Sequence, residues 1–403
     1  MERGYWYSEI TDCERTLGKP YVNDTKLRVR EYVNATVVPW NQVKEDGQIE
    51  KDGVYTENGE YIVDTGYIYN REQAFHEVGY ENTTYVLHDD EIEKYYDYEI
   101  CYIGHMKYHY GHFILESVSR LWPLIDSKDI KIALIDEDGR SGASLQYVKD
   151  FFRLAGQNFE EIIVINSISR FKKIYIPDSS CRYTAYISQE HNSLFHRISD
   201  RVKLKLPVYD NIYFSRVKFT KEGIERKKES GHSYFHREYG EIIIQKIFQD
   251  NGYKVLFPEE LSLEEQIYYV SHCKTLATTN GTIAHNVLFA KQGIRLIVLN
   301  KYFEKHFGFY RANWYQEAIN ELKEVDYIEI DAYAKGSYRA LSLLVLSKPF
   351  RKFIHDEGFV YKRTIDKLID LVYAYLIYYG RRCSRAIKAA LRKILQSGAE
   401  DKS

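Results

Sequence analysis

The sequence predicts an α/β fold: two Rossmann-like units facing a cleft, a β-rich segment ahead of them and a helix behind. From about residue 130, strand-like apolar runs alternate with helical ones. The alternation pauses around Pro207 and then starts again. Strands alternating with helices give parallel sheets covered on both faces, so two alternations give two sheets.

Residues 1–100 read mostly as strands and turns. Asn58-Gly59 within "VYTENGEYIVDTGYIY" is a hairpin signal, because a type I′ turn needs two residues that tolerate positive φ. In the first alternation "KIALIDED" is a strand, "SLQYVKDFFRLAG" a helix ended by Gly156, "EIIVINS" and "KKIYIPD" are strands, and 189–204 is a polar helix. "KLPVYDN" reads as a linker. In the second alternation 211–217 is a strand, 237–250 a helix and "KVLFP" a strand. A helix over 262–273 follows, opened by a capping box of Ser262 and Glu265. The strand 275–279, a short helix over 282–290 and the strand "RLIVLN" complete it. The expected domains are 1–206 (β-rich over 1–100, Rossmann-like over 101–206), 207–345, and a helical segment 346–403.

The tail 364–395 is a long helical stretch interrupted at Gly380. It is apolar and aromatic first, then basic through Arg381, Arg382, Arg385, Lys388, Arg392 and Lys393. It reads as a helix packed across the domains, or as an amphipathic helix making peripheral contact with an anionic membrane. No apolar run approaches the roughly 20 residues that span a bilayer.

Among 403 residues, 56 Lys and Arg stand against 58 Asp and Glu, so the formal charge of −2 excludes a surface built to hold nucleic acid. Five cysteines without a CxxC pair fit a reducing compartment. The N-terminal "MERGYWYSEITDCERTLGKP" lacks the basic and apolar regions of a secretory signal, so a cytoplasmic location is expected. A docked tail would place the protein at the inner face of the plasma membrane.

"GHMKYHYGHFILESVSRLWPLID" carries the first candidate chemistry, with His105, His109 and His112 at spacings of four and three. Zinc would need one helix through all three, which Gly111 and the tyrosines oppose, so no metal site is expected. In a helix over 112–125, Ile114, Val118, Leu121, Trp122 and Ile125 share one face, and His112, Glu116, Ser119 and Arg120 share the other. Glu116 lies one turn from both His112 and Arg120. A carboxylate beside an imidazole favours the imidazolium formed when His takes a proton, which suits a general base. An ordinary exposed ion pair is the alternative reading of the same spacing. The second candidate is "YFSRVK", where Ser215, Arg216 and Lys218 sit at the carboxyl end of a strand, placed to meet an anion. The third is "TLATTNGTIAHNVLF", where a strand ends, Asn280-Gly281 turns the chain, and Thr282 opens a helix whose free N–H groups suit a diphosphate.

In order, these segments resemble glycosyltransferase family 61. "YGHFILESVSRLWPL" is similar to the family's first motif through Gly111, His112, Glu116, Arg120, Leu121 and Trp122. "YFSRVK" resembles its Ser-Arg strand. Residues 252–289 are similar to its longest signature through Pro258, Glu259, Leu263, Gln266, Gly281 and Asn286. The chain has Asn280-Gly281 where the family commonly has His-Gly. The resemblance implies a GT-B architecture and inverting, metal-independent sugar transfer without a cofactor. The implied donor is a nucleotide-sugar, with UDP the expected nucleotide, and the acceptor a glycan or lipid-linked glycan of a cell-surface or capsular polysaccharide. On this reading 1–206 is the acceptor side and 207–345 binds the donor. His112 and Glu116 are catalytic, with either as the base. Ser215, Arg216, Lys218, Glu259, Asn280, Gly281, Thr282 and Asn286 hold the donor, and His105, His109 and Arg120 face the acceptor. The rivals are a non-catalytic glycan-binding subunit of a capsule complex and a phosphate-transferring polymer enzyme.

Overall fold

The computed structural model of the chain describes residues 5–7, 22–23, 26–39, 51–66, 85–107, 109–125, 127, 129–136, 145–182, 185–220, 237–302, 305–306, 309–310, 314–338 and 341–400. Cys13, positions 67–69 of the hairpin stretch, and the side chains of Lys388, Arg392 and Lys393 lie outside the described residues. The fold is mixed α/β, built around two six-stranded sheets.

The first sheet runs Gly53–Tyr55, Val29–Val38, Ser169–Pro177, Lys94–Met106, Lys131–Asp136, Ile163–Ile165. Its last four strands are parallel, while Val29–Val38 pairs antiparallel with both neighbours. The β-rich segment thus extends the first sheet. A hairpin turn is present where expected, with the Thr56 N–H donating to the Glu60 carbonyl at 2.8 Å, but it is not type I′, since Gly59 alone adopts positive φ, +78°, and Asn58 does not.

The second sheet is all parallel, in the order Tyr5–Tyr7, Asp326–Asp331, Arg295–Asn300, Thr275–Thr279, Asn211–Phe214, Lys254–Leu256. Its first strand, Tyr5–Tyr7, lies far ahead of the others in the sequence. The remaining strands follow a 2-1-3-4-5 order, a doubly wound arrangement.

The helices Gln146–Leu154, Gln189–Arg201, Leu263–His272 and the 3₁₀ segment Thr282–Phe289 pack together between the sheets. They join Ile103 and Leu134 of the first sheet and Phe214 and Leu276 of the second in one apolar core. Where a cleft is expected, much of the space between the sheets is therefore packed.

Three elements differ from expectation. The helix over 112–125 is instead one α turn at Tyr110–His112, a π turn over Phe113–Ser117 and a 3₁₀ turn at Trp122–Leu124. Pro123 has no N–H to give the Ser119 carbonyl, which accepts from the Ser180 N–H at 2.8 Å and Oγ at 2.6 Å. Residues 237–250 are a strand, Arg237–Tyr239, parallel to Leu341–Leu343, and then the helix Glu241–Asp250. Gly240 separates them at φ +83°, where a Cβ would meet the Leu344 carbonyl oxygen at 2.1 Å. The tail is one continuous helix, Ile365–Glu400, running through Gly380. A glycine costs a helix only about 1 kcal/mol against alanine, too little to stop so long a run.

Candidate active site

The chain leaves Lys94–Met106 with Lys131–Asp136 hydrogen-bonded on one side and Ser169–Pro177 on the other. It goes first to one side and later to the other, so this carboxyl end is a topological switch point, the usual place for a ligand in such sheets. The His112 segment follows directly. In the second sheet the equivalent point lies between Asn211–Phe214 and Thr275–Thr279, from whose ends Ser215, Arg216 and 280–282 emerge.

The two points meet in space. Gly111 is buried against Thr282, whose Cγ2 lies 2.4 Å from where a Cβ on Gly111 would sit. Any side chain at 111 would push these segments apart. One turn on, the Tyr110 hydroxyl donates to Asn286 Oδ1 at 2.6 Å.

Glu116 is the hub of the first segment. Its side chain is 9% exposed, and His112 Nδ1 donates to its Oε1 at 2.5 Å. Lys107 Nζ donates to its Oε2 at 2.6 Å, and the Tyr315 hydroxyl, from Trp314–Leu322, donates to Oε1. Burial pushes this carboxyl up, but the Lys107 ammonium and the His112 bond outweigh it and hold it at about 2. An exposed helical ion pair would have neither the burial nor the extra partners, so that alternative does not describe this pair. The His112 ring is 46% exposed and packs edge-on to His109 at 5.4 Å between centroids. With Nδ1 turned to the carboxylate, Nε2 is the nitrogen left to accept a proton. Behind it lies His285, which burial holds down at about 4 although its Nδ1–H donates to Gln316 Oε1 at 2.9 Å.

The remaining acceptor-side candidates separate from this hub. His105 Nε2 lies 3.0 Å from Asp52 Oδ1 in a buried pair. Arg120 is buried and donates to the Pro177 and Asp64 carbonyls, so Glu116 holds His112 and not Arg120.

Among the donor-side candidates, Ser215 is fully buried and donates to Gln245 Oε1 at 2.7 Å. Arg216 stacks on Phe219, its guanidinium carbon 3.9 Å from the ring centroid. Lys218 pairs with Glu260 at 2.5 Å and stays half-exposed. Glu259 is half-buried in the 3₁₀ turn Pro258–Glu260. Asn280 Nδ2 donates to Asn300 Oδ1 at 3.1 Å. Gly281 adopts φ 140°, ψ −174°, a region open essentially to glycine alone. Asn286 is buried and bridges the two units, its Nδ2 donating to Gln266 Oε1 at 3.2 Å. The structure therefore brings His112, Glu116, His109, Gly281 and Thr282 together, and gives Ser215 and Asn286 internal work.

Sequence reasoning missed Lys107 and Tyr315 at the hub, and Lys301 beside the Gly281 turn. Lys301 is buried just beyond Arg295–Asn300, its Nζ 3.9 Å from where a Cβ on Gly281 would lie. It donates to Glu238 Oε1 at 2.7 Å. No motif marks it; the only sequence signal was its place just past the carboxyl end of a predicted strand. Beside it, Glu241 accepts from the Arg216 N–H at 2.8 Å. Burial raises the Glu241 carboxyl to about 7, with the Arg216 N–H pulling it down and Glu238 pushing it up.

A raised carboxyl contributes stability that is fully present below its unfolded value and is lost as pH rises through its folded one. Glu241 thus makes the chain less stable as pH climbs from about 4.5 to about 7. Glu241→Gln is expected to flatten that part of a plot of Tm against pH. A variant curve with the wild-type slope would show that Glu241 does not titrate in this window.

Residues 110–297, just under half the chain, match the family described as Glycosyltransferase 61. The span starts at Tyr110 and contains His112, Glu116, Arg216 and the turn at 280–282. No curated protein matches the chain. The family match supports a likeness of residues 110–297 to glycosyltransferase family 61, a family of glycosyltransferases.

Proposed function

We propose that this protein is an inverting glycosyltransferase of the GT-B kind. It moves a sugar from a nucleotide-sugar, with UDP the expected nucleotide, to a glycan or lipid-linked glycan of a cell-surface polysaccharide. The observation that carries the reading is the Glu116 hub set against the 280–282 turn. A carboxyl held at about 2 is a poor proton acceptor, so His112 is the base and Glu116 fixes its tautomer and charge.

In the proposed reaction His112 Nε2 takes the proton of an acceptor hydroxyl as its oxygen bonds to the anomeric carbon. The bond from that carbon to the diphosphate breaks on the opposite face, inverting the centre. Arg216, Lys218 and Lys301 with the backbone of the 280–282 turn supply the positive potential that receives the leaving oxyanion. These side chains and N–H groups can do this without a metal.

Thermal-shift measurements with UDP, GDP and CMP test the reading. One nucleotide, expected to be UDP, should raise Tm, because a ligand at about 100 times its Kd adds about 2.7 kcal/mol. A flat response to all three would overturn it in favour of a glycan-binding subunit, a role to which the internally bonded Ser215, Asn280 and Asn286 would be suited.

A further inference from the structure

A cleft of about 240 Å³ opens at the carboxyl end of the first sheet. Three arginines, Arg30, Arg120 and Arg182, line it together with two carboxylates, Asp64 and Asp178, and with Ser179 and Tyr186. Ser169–Pro177 and Lys94–Met106 are parallel, so the loop after Pro177 and the His112 segment leave the sheet at the same end. Side chains tie the two together. Ser119 Oγ lies 2.7 Å from Ser179 Oγ and donates to the Glu116 carbonyl at 2.7 Å. Trp122 Nε1 donates to the Asp178 carbonyl at 2.9 Å. The cleft therefore adjoins the hub that holds His112, at the end of the sheet where ligands bind.

The charges lining the cleft do not balance. Arg182 pairs with Asp64 at 2.9 Å, and Arg30 faces Asp178 at 3.4 Å. Arg120 is 3% exposed and donates to two carbonyls; among the described residues no carboxylate pairs with it. Burial pushes the Tyr186 hydroxyl up to about 12, so it stays protonated and adds no negative charge. Three cations against two anions leave one positive charge in a place partly withdrawn from water, where an unmatched ion is costly. Arg30 also has room for a further partner. Its buried Nε makes no hydrogen bond, and its Nη1 reaches only the Val63 carbonyl, at 3.4 Å. Asp178 does not depend on it, because the Arg28 N–H donates to Asp178 Oδ2 at 2.9 Å.

We propose that this cleft binds the carboxylate of an acidic sugar within a glycan. One negative charge completes the balance, and guanidinium forks match a planar carboxylate in two parallel hydrogen bonds. That the glycan is the acceptor rests on the sugar-transfer reading; the preference for an anion rests on the cleft alone.

Saturation-transfer NMR on the full chain tests it, with sodium glucuronate and glucose as probes at matched ionic strength. Glucuronate should bind about tenfold or more tightly than glucose, the effect of one charge-assisted hydrogen bond. Arg30→Gln brings the cleft to zero net charge and should weaken glucuronate about tenfold while Tm stays close to wild type. Arg182→Gln, which acts on the other ion pair, should weaken it as well, so the result does not hang on one variant. Equal binding of the two sugars overturns the proposal, as does a glucuronate preference that survives both variants. Sulfate that binds as tightly as glucuronate also overturns it, in favour of a site for any small oxyanion. The nucleotide thermal shift keeps the two readings apart. A chain stabilised by UDP but indifferent to glucuronate loses this cleft alone, and one that prefers glucuronate but ignores nucleotides keeps the cleft and loses sugar transfer.

Discussion

His112→Ala is expected to lower kcat by two to four orders of magnitude, the usual contribution of a positioned general base. It should leave Tm close to wild type, since the ring is 46% exposed and its bond to Glu116 is one of several that carboxylate receives. Glu116→Gln separates the roles of the pair. It keeps an acceptor for Nδ1–H but removes the charge that stabilises the imidazolium, so kcat should fall less than in His112→Ala while Tm falls more. Tm is the sensitive readout because Lys107 would keep a buried ammonium without its carboxylate. The measurement is turnover alongside thermal melting for both variants. Near wild-type turnover in His112→Ala would move the base elsewhere, and no role for Glu116 as orienter would survive it.

Lys301→Met is expected to have the second largest effect. It strips the partner from Glu238 in a buried pair, and loss of one member of such a pair costs about 3–5 kcal/mol. It also removes a cation beside the Gly281 turn, so the nucleotide shift should shrink. The double variant Lys301→Met with Glu238→Gln distinguishes the two consequences. With no uncompensated charge left, Tm should recover, while stabilisation by nucleotide should remain lost. Recovery of both would make Lys301 a purely structural residue.

Chemistry set by local spacing was legible before any coordinates. His112 and Glu116 meet as an i,i+4 pair should, even though the segment is a π turn and not the expected α-helix, because four residues span one turn in either geometry. The capping box at Ser262, the hairpin at Gly59 and the strand ends carrying Arg216 and Gly281 were legible for the same reason. What the sequence hid is tertiary. Tyr315 reaches Glu116 across 199 positions, and Lys301 meets Glu238 across 63. No periodicity encodes such distances. Arg120 was misjudged through helical geometry: the wide turn and Pro123 carry it inward to two carbonyls, away from the face an ideal helix would give it. Arg237–Tyr239 reads as helix from sequence because its partner, Leu341–Leu343, lies about a hundred residues on.

The strand Tyr5–Tyr7 has a mechanical meaning. Tyr5–Tyr7 lies in the second sheet and Val29–Val38 in the first, and the chain is back in the second sheet by Asn211–Phe214. Two bodies joined by one crossing can swivel about it in any direction. Joined by two, they resist twisting and bend most easily about the line between the crossings. Any opening of the site at Gly111 and Thr282 would then follow a single hinge axis, and the N-terminal strand would act as one of its two pins.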